Sequence, residues 1–247
     1  MLELLVMQVD VLAFGPHPDD VEMAMGGTLL RLQSLGYSVG VIDLTSGEMA
    51  TRGTPEERAS EASKAADILG IALRRSLNLG DSRLKVTDET KLSVIEVIRE
   101  YRPKLVFTNY PENNHPDHSA SGVLVSEAAY LSGLLKIETS FEPHRPNCTV
   151  YYFVPRKVVP SFVIDITPFH TDKMRAVQAH QSQLYNGVST DNKAYVSEPD
   201  FLSRIEALDR YHGALIDTNF GEAFFIKEAI KVDDPVLQFN RPFTRIT

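Results

Sequence analysis

Six residues in two short stretches carry the chemistry legible in this chain. "PHPDD" holds His17, Asp19 and Asp20, and "ENNHPDH" holds His115, Asp117 and His118. Adjacent carboxylates such as Asp19 and Asp20 repel, and burying either one ionised is costly. A divalent cation offsets both penalties, because imidazole and carboxylate are ligands for metals such as zinc. His17 and Asp20 stand three apart, a spacing that lets two side chains converge on one ion. The second stretch offers His115 and His118 for the third position. Two imidazoles and one carboxylate leave coordination room for water, as in an open catalytic site. Asp20 then binds the cation and Asp19 faces the attacking water as general base. Iron accepts the same donors as zinc.

The two stretches are about a hundred residues apart, so the fold must bring them together. "VDVLAFG" (Val9–Gly15) is a short apolar run bounded by Gly and Pro, which predicts a buried strand. "DDVEMAMGGTLLRLQSLG" spaces Val21, Met25, Leu29 and Leu32 three or four apart and closes on Gly36, which predicts a helix. "YSVGVIDLT" reads as a second strand. "PEERASEASKAADILG" reads as a helix with Pro55 in its first turn and Gly70 at its end. "RSLNLG" is a brief third strand, "DETKLSVIEVIREY" a helix, "KLVFTNY" a fourth buried strand and "DHSASGVLVSEAAYLSG" another helix. This alternation predicts parallel βαβ units with right-handed crossovers. Ligands in such sheets bind beyond the carboxyl ends of the strands, where both charged stretches fall.

The second half is less regular. "CTVYYFV" and "SFVIDI" read as strands of an antiparallel extension, "DKMRAVQAH" and "PDFLSRIEALDRYHGAL" as helices, and "EAFFIKEAI" as a late strand. Asn186–Pro199 is polar and turn-rich, a surface loop. With no internal repeat or linker, the expectation is one α/β domain over 1–247. It is Rossmann-like, a mostly parallel sheet flanked by helices, with an irregular C-terminal extension. His144, His170, His180 and His212 lack acidic company of the kind at His17 and read as surface or packing residues.

Composition narrows the function classes. A hydrophobic fraction of 43% in 247 residues supports a sizeable core. The formal charge of −8, without a Lys/Arg run, argues against nucleic acid or an anionic membrane as partner. The single Cys148 excludes an internal disulfide framework and an all-Cys metal cluster, and fits a reducing cytoplasm. The opening residues lack a basic region and a cleavage site, and no apolar run of about 18 residues is present, so neither a signal peptide nor a transmembrane helix is expected. No G-x-G-x-x-G follows the first strand, which ranks dinucleotide binding last.

The ordered stretches "AFGPHPDDVEMAMGGTL", "LTSGEMATRGTPEER" and "NNHPDH" resemble the LmbE-like (PIG-L) family of metal-dependent N-acetylglucosamine deacetylases, through about Pro146. Within that family the bacillithiol-biosynthesis branch, which acts on N-acetylglucosaminyl-malate, is the most similar. The resemblance implies zinc held by His17, Asp20 and His118, with Asp19 as general base. It implies that His115, held by Asp117, stabilises the oxyanion or protonates the leaving amine. Asp117 beside His115 orients the ring and favours its cation. Arg58 and Glu48 would reach the sugar. Arg145 in "EPHRP" would come to the site across a subunit contact and suit a malate carboxylate through its bidentate fork. A homo-oligomer, commonly a hexamer, is implied as well.

Two departures bear on the substrate rather than the reaction. Asn114 precedes "HPDH" where relatives often carry a basic residue. Phe201 falls where relatives place a Tyr near the site, with Tyr185, Tyr195 and Tyr211 nearby in sequence. The expected activity is removal of an N-acetyl group from a glucosamine conjugate. The rivals are a deacetylase of another small acyl-sugar, such as a chitin disaccharide, and a non-catalytic metal-containing sugar-binding protein. Asp19, not needed as a ligand, argues against the last.

Overall fold

Parallel strand pairing brings the two charged stretches to one place. The computed structural model describes residues 8–155, 157–185, 187 and 195–238. Strand β1 (Val11–Gly15) lies between β2 (Val39–Asp43) and β4 (Leu105–Asn109), parallel to both. With β3 (Leu73–Ser76), β5 (Cys148–Tyr152), β6 (Phe162–Asp165) and β7 (Gly221–Ile226), the sheet runs β3-β2-β1-β4-β5-β7-β6. The chain moves outward through β2 and β3, then returns to the other side of β1 with β4. That reversal opens a crevice beyond the carboxyl ends of β1 and β4.

Alternation along β1 divides the core into two layers. Leu12 and Phe14 pack with Val94, Ile98, Leu124 and Val125, from α3 (Asp88–Tyr101) and α4 (Pro116–Leu131). Val11 and Ala13 pack with Val21, Leu29, Ala65 and Ala176 on the opposite face, from α1 (Asp20–Ser34), α2 (Pro55–Leu69) and α5 (His170–Gln178). Both faces of the strand are covered, so it is apolar throughout. Each large side chain buried here contributes ~1.5–3 kcal/mol. Helices α6 (Phe201–Ala214) and α7 (Pro235–Gln238) complete the set of seven among the described residues. None is long and apolar enough to cross a membrane.

Local sequence sets the helix ends. Thr54 caps α2 in a reciprocal box with Glu57, and Gly70 closes it at φ 67. Helix α1 is interrupted at Met25 (φ −149, ψ 18). The amides of Gly27 and Thr28 freed by that break donate to the Glu222 carboxylate of β7 at 3.0 and 2.7 Å. The C-terminal half thus supplies a cap in the middle of the helix that begins at the site.

Two strand expectations are corrected. The third strand is Leu73–Ser76, not Arg75–Gly80, because Gly40–Asp43 pair with Leu73–Ser76, and Asn78 (φ 52) and Gly80 (φ 97) leave the extended region. The strand in "CTVYYFV" is not antiparallel: β5 runs parallel to β4, and β7 alone is antiparallel to its neighbours β5 and β6. Of the loop expected over Asn186–Pro199, positions 186 and 188–194 lie outside the described residues, and Tyr195–Ser197 form a 3-10 turn.

Candidate active site

The turn after β1 folds His17 and Asp20 onto each other locally. Asp20 opens α1, and its Oδ2 accepts the His17 backbone N–H at 3.0 Å and lies 3.2 Å from His17 Nδ1. Its other oxygen, Oδ1, lies 3.2 Å from Nε2 of His118, in the first turn of α4. One carboxylate therefore spans two imidazoles from adjacent strand ends, and donor atoms of all three lie within 4.8 Å of one another. Ligands at ~2.0–2.1 Å around a tetrahedral zinc stand roughly 3.3 Å apart, so the donor set fits such a cation. Burial lowers the His118 pKa against the pull of Asp20, which favours the neutral ring a metal needs.

His17 is fixed from behind. Its Nε2 lies 3.1 Å from Asp81 Oδ1 and 3.4 Å from Asp117 Oδ2. Burial disfavours a charge on the ring, but Asp117, Asp20 and Asp81 outweigh it and raise the His17 pKa to about 12. The pocket is thus built to hold positive charge, which a proton or a cation can supply. Carboxylates on the outer nitrogen orient a ligand imidazole and raise its basicity.

Asp19 stands beside this set in a conformation that side chains rarely adopt, φ 133 and ψ −29. Such backbone costs ~1–3 kcal/mol and persists only where surroundings over-determine it. Arg58 is the clamp. Only 3% exposed, it donates from Nη2 to Pro18 O at 2.7 Å and to Asp19 Oδ2 at 3.3 Å, and from Nη1 to Gly47 O at 3.3 Å. Burial raises the Asp19 pKa to about 6, opposed by Arg58 and assisted by Asp20. Asp20 goes the other way, to about 2, because His118 and His17 outweigh its burial. Neighbouring carboxylates pushed apart in this manner divide into a proton acceptor and a ligand.

The expected contact between Asp117 and His115 is corrected. The Asp117 carboxylate accepts from Ser82 N at 2.6 Å and Leu84 N at 3.3 Å, and faces His17. The hydrogen bond to His115 comes from the backbone N–H of Asp117, which donates to Nδ1 at 3.2 Å, while a carboxylate oxygen stays within 4.8 Å of the ring. His115 is thereby the N-cap of α4, and its neutral ring carries the proton on Nε2. The ring is exposed, edge-on to His17 at 5.0 Å and tilted to His118 at 4.9 Å.

Of the three residues expected at the substrate, Arg58 and Glu48 are engaged in the loops around the site and Arg145 lies away from it in its own chain. Arg58 points beneath the loop, as described. Glu48 accepts from Asp81 N at 2.8 Å and pairs with Arg83 at 3.7 Å, so it braces the Asp81 turn. Arg145 lies over the Tyr130 ring at 4.2 Å. Tyr130 is ~18 Å along α4 from His118 at ~1.5 Å per residue. The reason is topological: Arg145 precedes a parallel strand and so sits at the amino end of the sheet, opposite the site. Phe201 is buried against Met23 and Val177, Tyr195 meets it edge-on at 5.5 Å, and Tyr185 and Tyr211 are exposed.

Two residues at the site escaped the sequence reading. Asp81 holds His17 and accepts from Met49 N at 2.9 Å. It follows β3 at the carboxyl edge of the sheet, the signal that singled out the loops after β1 and β4. Phe153 (φ 52) stacks on His118 with centroids 5.8 Å apart and planes at 9°. Nothing in its sequence surroundings marks it.

Comparison with known proteins follows this geometry. Residues 12–129, which include all six residues of the two charged stretches, match the family described as "PIG-L: GlcNAc-PI de-N-acetylase". The chain is 32% identical over 188 residues to a diacetylchitobiose deacetylase of Thermococcus kodakarensis, covering 70% of this chain and 69% of that one. It is 33% identical over 194 residues to a Bacillus cereus protein named "Probable N-acetyl-alpha-D-glucosaminyl L-malate deacetylase 2", covering 72% and 84%. The conserved protein TT1542 from Thermus thermophilus superposes with a TM-score of 0.83 at 34% identity, covering 91% of this chain and 97% of that one.

Proposed function

The chain belongs to the LmbE-like (PIG-L) family, and from that premise we propose that it is a metal-dependent deacetylase of an N-acetylglucosamine conjugate. The observation that carries this reading is the Asp20 carboxylate bridging His17 and His118 with Asp19 clamped beside it. His17, Asp20 and His118 would hold the cation, zinc by the character of the donors, with iron accepted by the same set. When bound, it supplies Lewis-acid polarisation of the amide carbonyl and a nucleophile competent near neutral pH.

The remaining chemistry belongs to the chain. Asp19 takes a proton from the attacking water as the oxygen bonds to the acetyl carbon. His115, with its Nε2–H exposed, donates to the oxygen on which negative charge develops. The carbon–nitrogen bond then breaks, and the proton held by Asp19 passes to the amine, leaving acetate and a free glucosamine nitrogen. Arg58 positions Asp19 throughout. Asp81 and Asp117 keep His17 in one orientation.

N-acetylglucosaminyl-malate is the favoured substrate, supported by alignment over 84% of a relative named for it against 69% of the chitobiose enzyme. The chitin disaccharide is the second reading, supported by the position of Arg145 over Tyr130, which takes the residue assigned to a malate carboxylate away from the His17, Asp20 and His118 set of its own chain. A cytoplasmic homo-oligomer belongs to the first reading, in which Arg145, placed over Tyr130 in its own chain, would serve the His17, Asp20 and His118 set of a neighbouring copy. The test is acetate release from N-acetylglucosaminyl-malate, N-acetylglucosamine and its disaccharide, with and without added zinc. No release from any of them rejects deacetylation. Preference for the disaccharide replaces the first substrate with the second.

A further inference from the structure

The two imidazoles that would hold the cation are kept in place by different means. His17 has Asp81 and Asp117 at 3.1 and 3.4 Å from Nε2. His118 has Asp20 Oδ1 at 3.2 Å from Nε2, while its Nδ1 is buried without a hydrogen-bond partner among the described residues. The ring torsion of a histidine is broad, so the rotamer of His118 does not by itself set the plane of the imidazole. What lies against that plane is Phe153, parallel to within 9° and with centroids 5.8 Å apart, inside the ~4.5–7 Å over which aromatic rings attract. The rings of His17 and His115 are instead tilted to His118 by 43° and 37°.

Phe153 is set there under strain. Tyr152 at the end of β5 pairs with Asn109 at the end of β4, so the residue after β5 stands beside the loop that leads to His118. Its φ of 52 is one that a large side chain rarely adopts, and such backbone persists only where the surroundings over-determine it. The Tyr152 ring meets Phe153 edge-on at 5.3 Å, and Tyr152 is itself fixed by donating from Oη to Phe14 O at 2.6 Å. The Phe153 side chain also packs against the cluster of Met23, Val177 and Phe201. We propose that Phe153 is a positioning residue for the metal site, its ring fixing the plane of the His118 imidazole as Asp81 and Asp117 fix that of His17. The inference rests on the reading of His118 as a metal ligand. An imidazole turned out of that plane would collide with Phe153 and swing the Nε2 lone pair away from the point shared with His17 and Asp20.

Zinc binding to the metal-free full chain is measured by calorimetry for the wild type, Phe153→Leu, Phe153→Tyr and His118→Ala, beside urea unfolding of the same samples. Cobalt(II) absorption spectra read the ligand geometry apart from the affinity. Phe153→Leu keeps apolar bulk against Met23, Val177 and Phe201 and removes the flat face. It should weaken zinc binding ~tenfold or more, the scale of losing a group that orients a metal ligand, and alter the cobalt spectrum. Phe153→Met is the second apolar replacement, used in the same way should the Leu variant fold poorly. Phe153→Tyr keeps the face and should retain the wild-type affinity and spectrum. A merely structural Phe153 would lower the unfolding midpoint of the Leu variant and leave the zinc affinity and cobalt spectrum of its folded form unchanged, and that result overturns the proposal. Equal weakening in the Leu and Tyr variants overturns it too, because the ring face would then not be what matters. Wild-type zinc affinity in His118→Ala removes the reading of the metal site and this one with it. Loss in His118→Ala with no change in Phe153→Leu removes this one alone.

Discussion

Arg58 grips the carboxylate of Asp19 at 3.3 Å from below, although its position in sequence suggests an arm reaching for substrate. The same nitrogen holds Pro18 O at 2.7 Å, so the guanidinium fixes both the backbone and the side chain of a strained turn. On the proposed mechanism, it positions the base.

Arg58→Lys should therefore lower kcat ~tenfold or more through misplacement of the base, with KM little changed. Arg58→Ala should in addition destabilise the fold by ~3–5 kcal/mol, the cost of leaving a buried charge unpaired. Arg58 is the strongest group lowering the Asp19 pKa, so its removal moves the acid limb of the rate profile to higher pH. Steady-state kinetics across pH and denaturant unfolding check both. A rise in KM alone would return Arg58 to the sugar.

Asp19→Asn should bind zinc like the wild type and lose ~100-fold or more in turnover, the scale of a general base. His118→Ala should instead lose the metal, because Asp20 Oδ1 then has no imidazole opposite it. Metal analysis beside acetate release separates the two variants. Equal metal loss in both would make Asp19 a ligand.

His115 is expected to act by donating from Nε2, since Nδ1 is committed to the Asp117 N–H. His115→Ala should cost ~10²–10³-fold in kcat, as for a lost oxyanion donor. His115→Gln retains an N–H donor and should recover part of that loss. No difference between Ala and Gln would mean that proton transfer, not hydrogen bonding, is the contribution of the ring.

Behind the site, Glu22 is fully buried, pairs with Arg74, and lies 3.2 Å from His180 Nε2. Burial pushes its pKa up, but Arg74 and His180 outweigh this and hold it well below the usual carboxylate range. A depressed folded value means that the unfolded chain takes up protons first. The resulting stability is present above the unfolded pKa of ~4.3 and is lost as pH falls through the folded value. Glu22→Gln should reduce the dependence of unfolding free energy on pH below about 4 and lower stability at neutral pH, because Arg74 then loses one of the two carboxylates paired with it. Urea unfolding at a series of pH values measures it. An unchanged acid slope would show that other carboxylates set the acid limit.

What the sequence by itself determined was local or periodic. The apolar run Val11–Gly15, the Thr54 and Gly70 ends of α2, and the position of "PHPDD" and "ENNHPDH" after strands are properties of neighbours in the chain. Strand–helix alternation was enough to bring those stretches to one edge, since parallel crossovers have one hand and one binding side. Only the tertiary structure decided which charge answers which. Asp81 reaches His17, Asp117 turns its carboxylate from His115 to His17, Arg58 folds under Asp19, and Arg145 falls at the far end of the sheet. The physical reason is range. Capping and periodicity act within a few residues, whereas a buried carboxylate takes whatever donor the packed strands place within about 3 Å of it, and the burial that makes the choice costly does not exist until the sheet has formed.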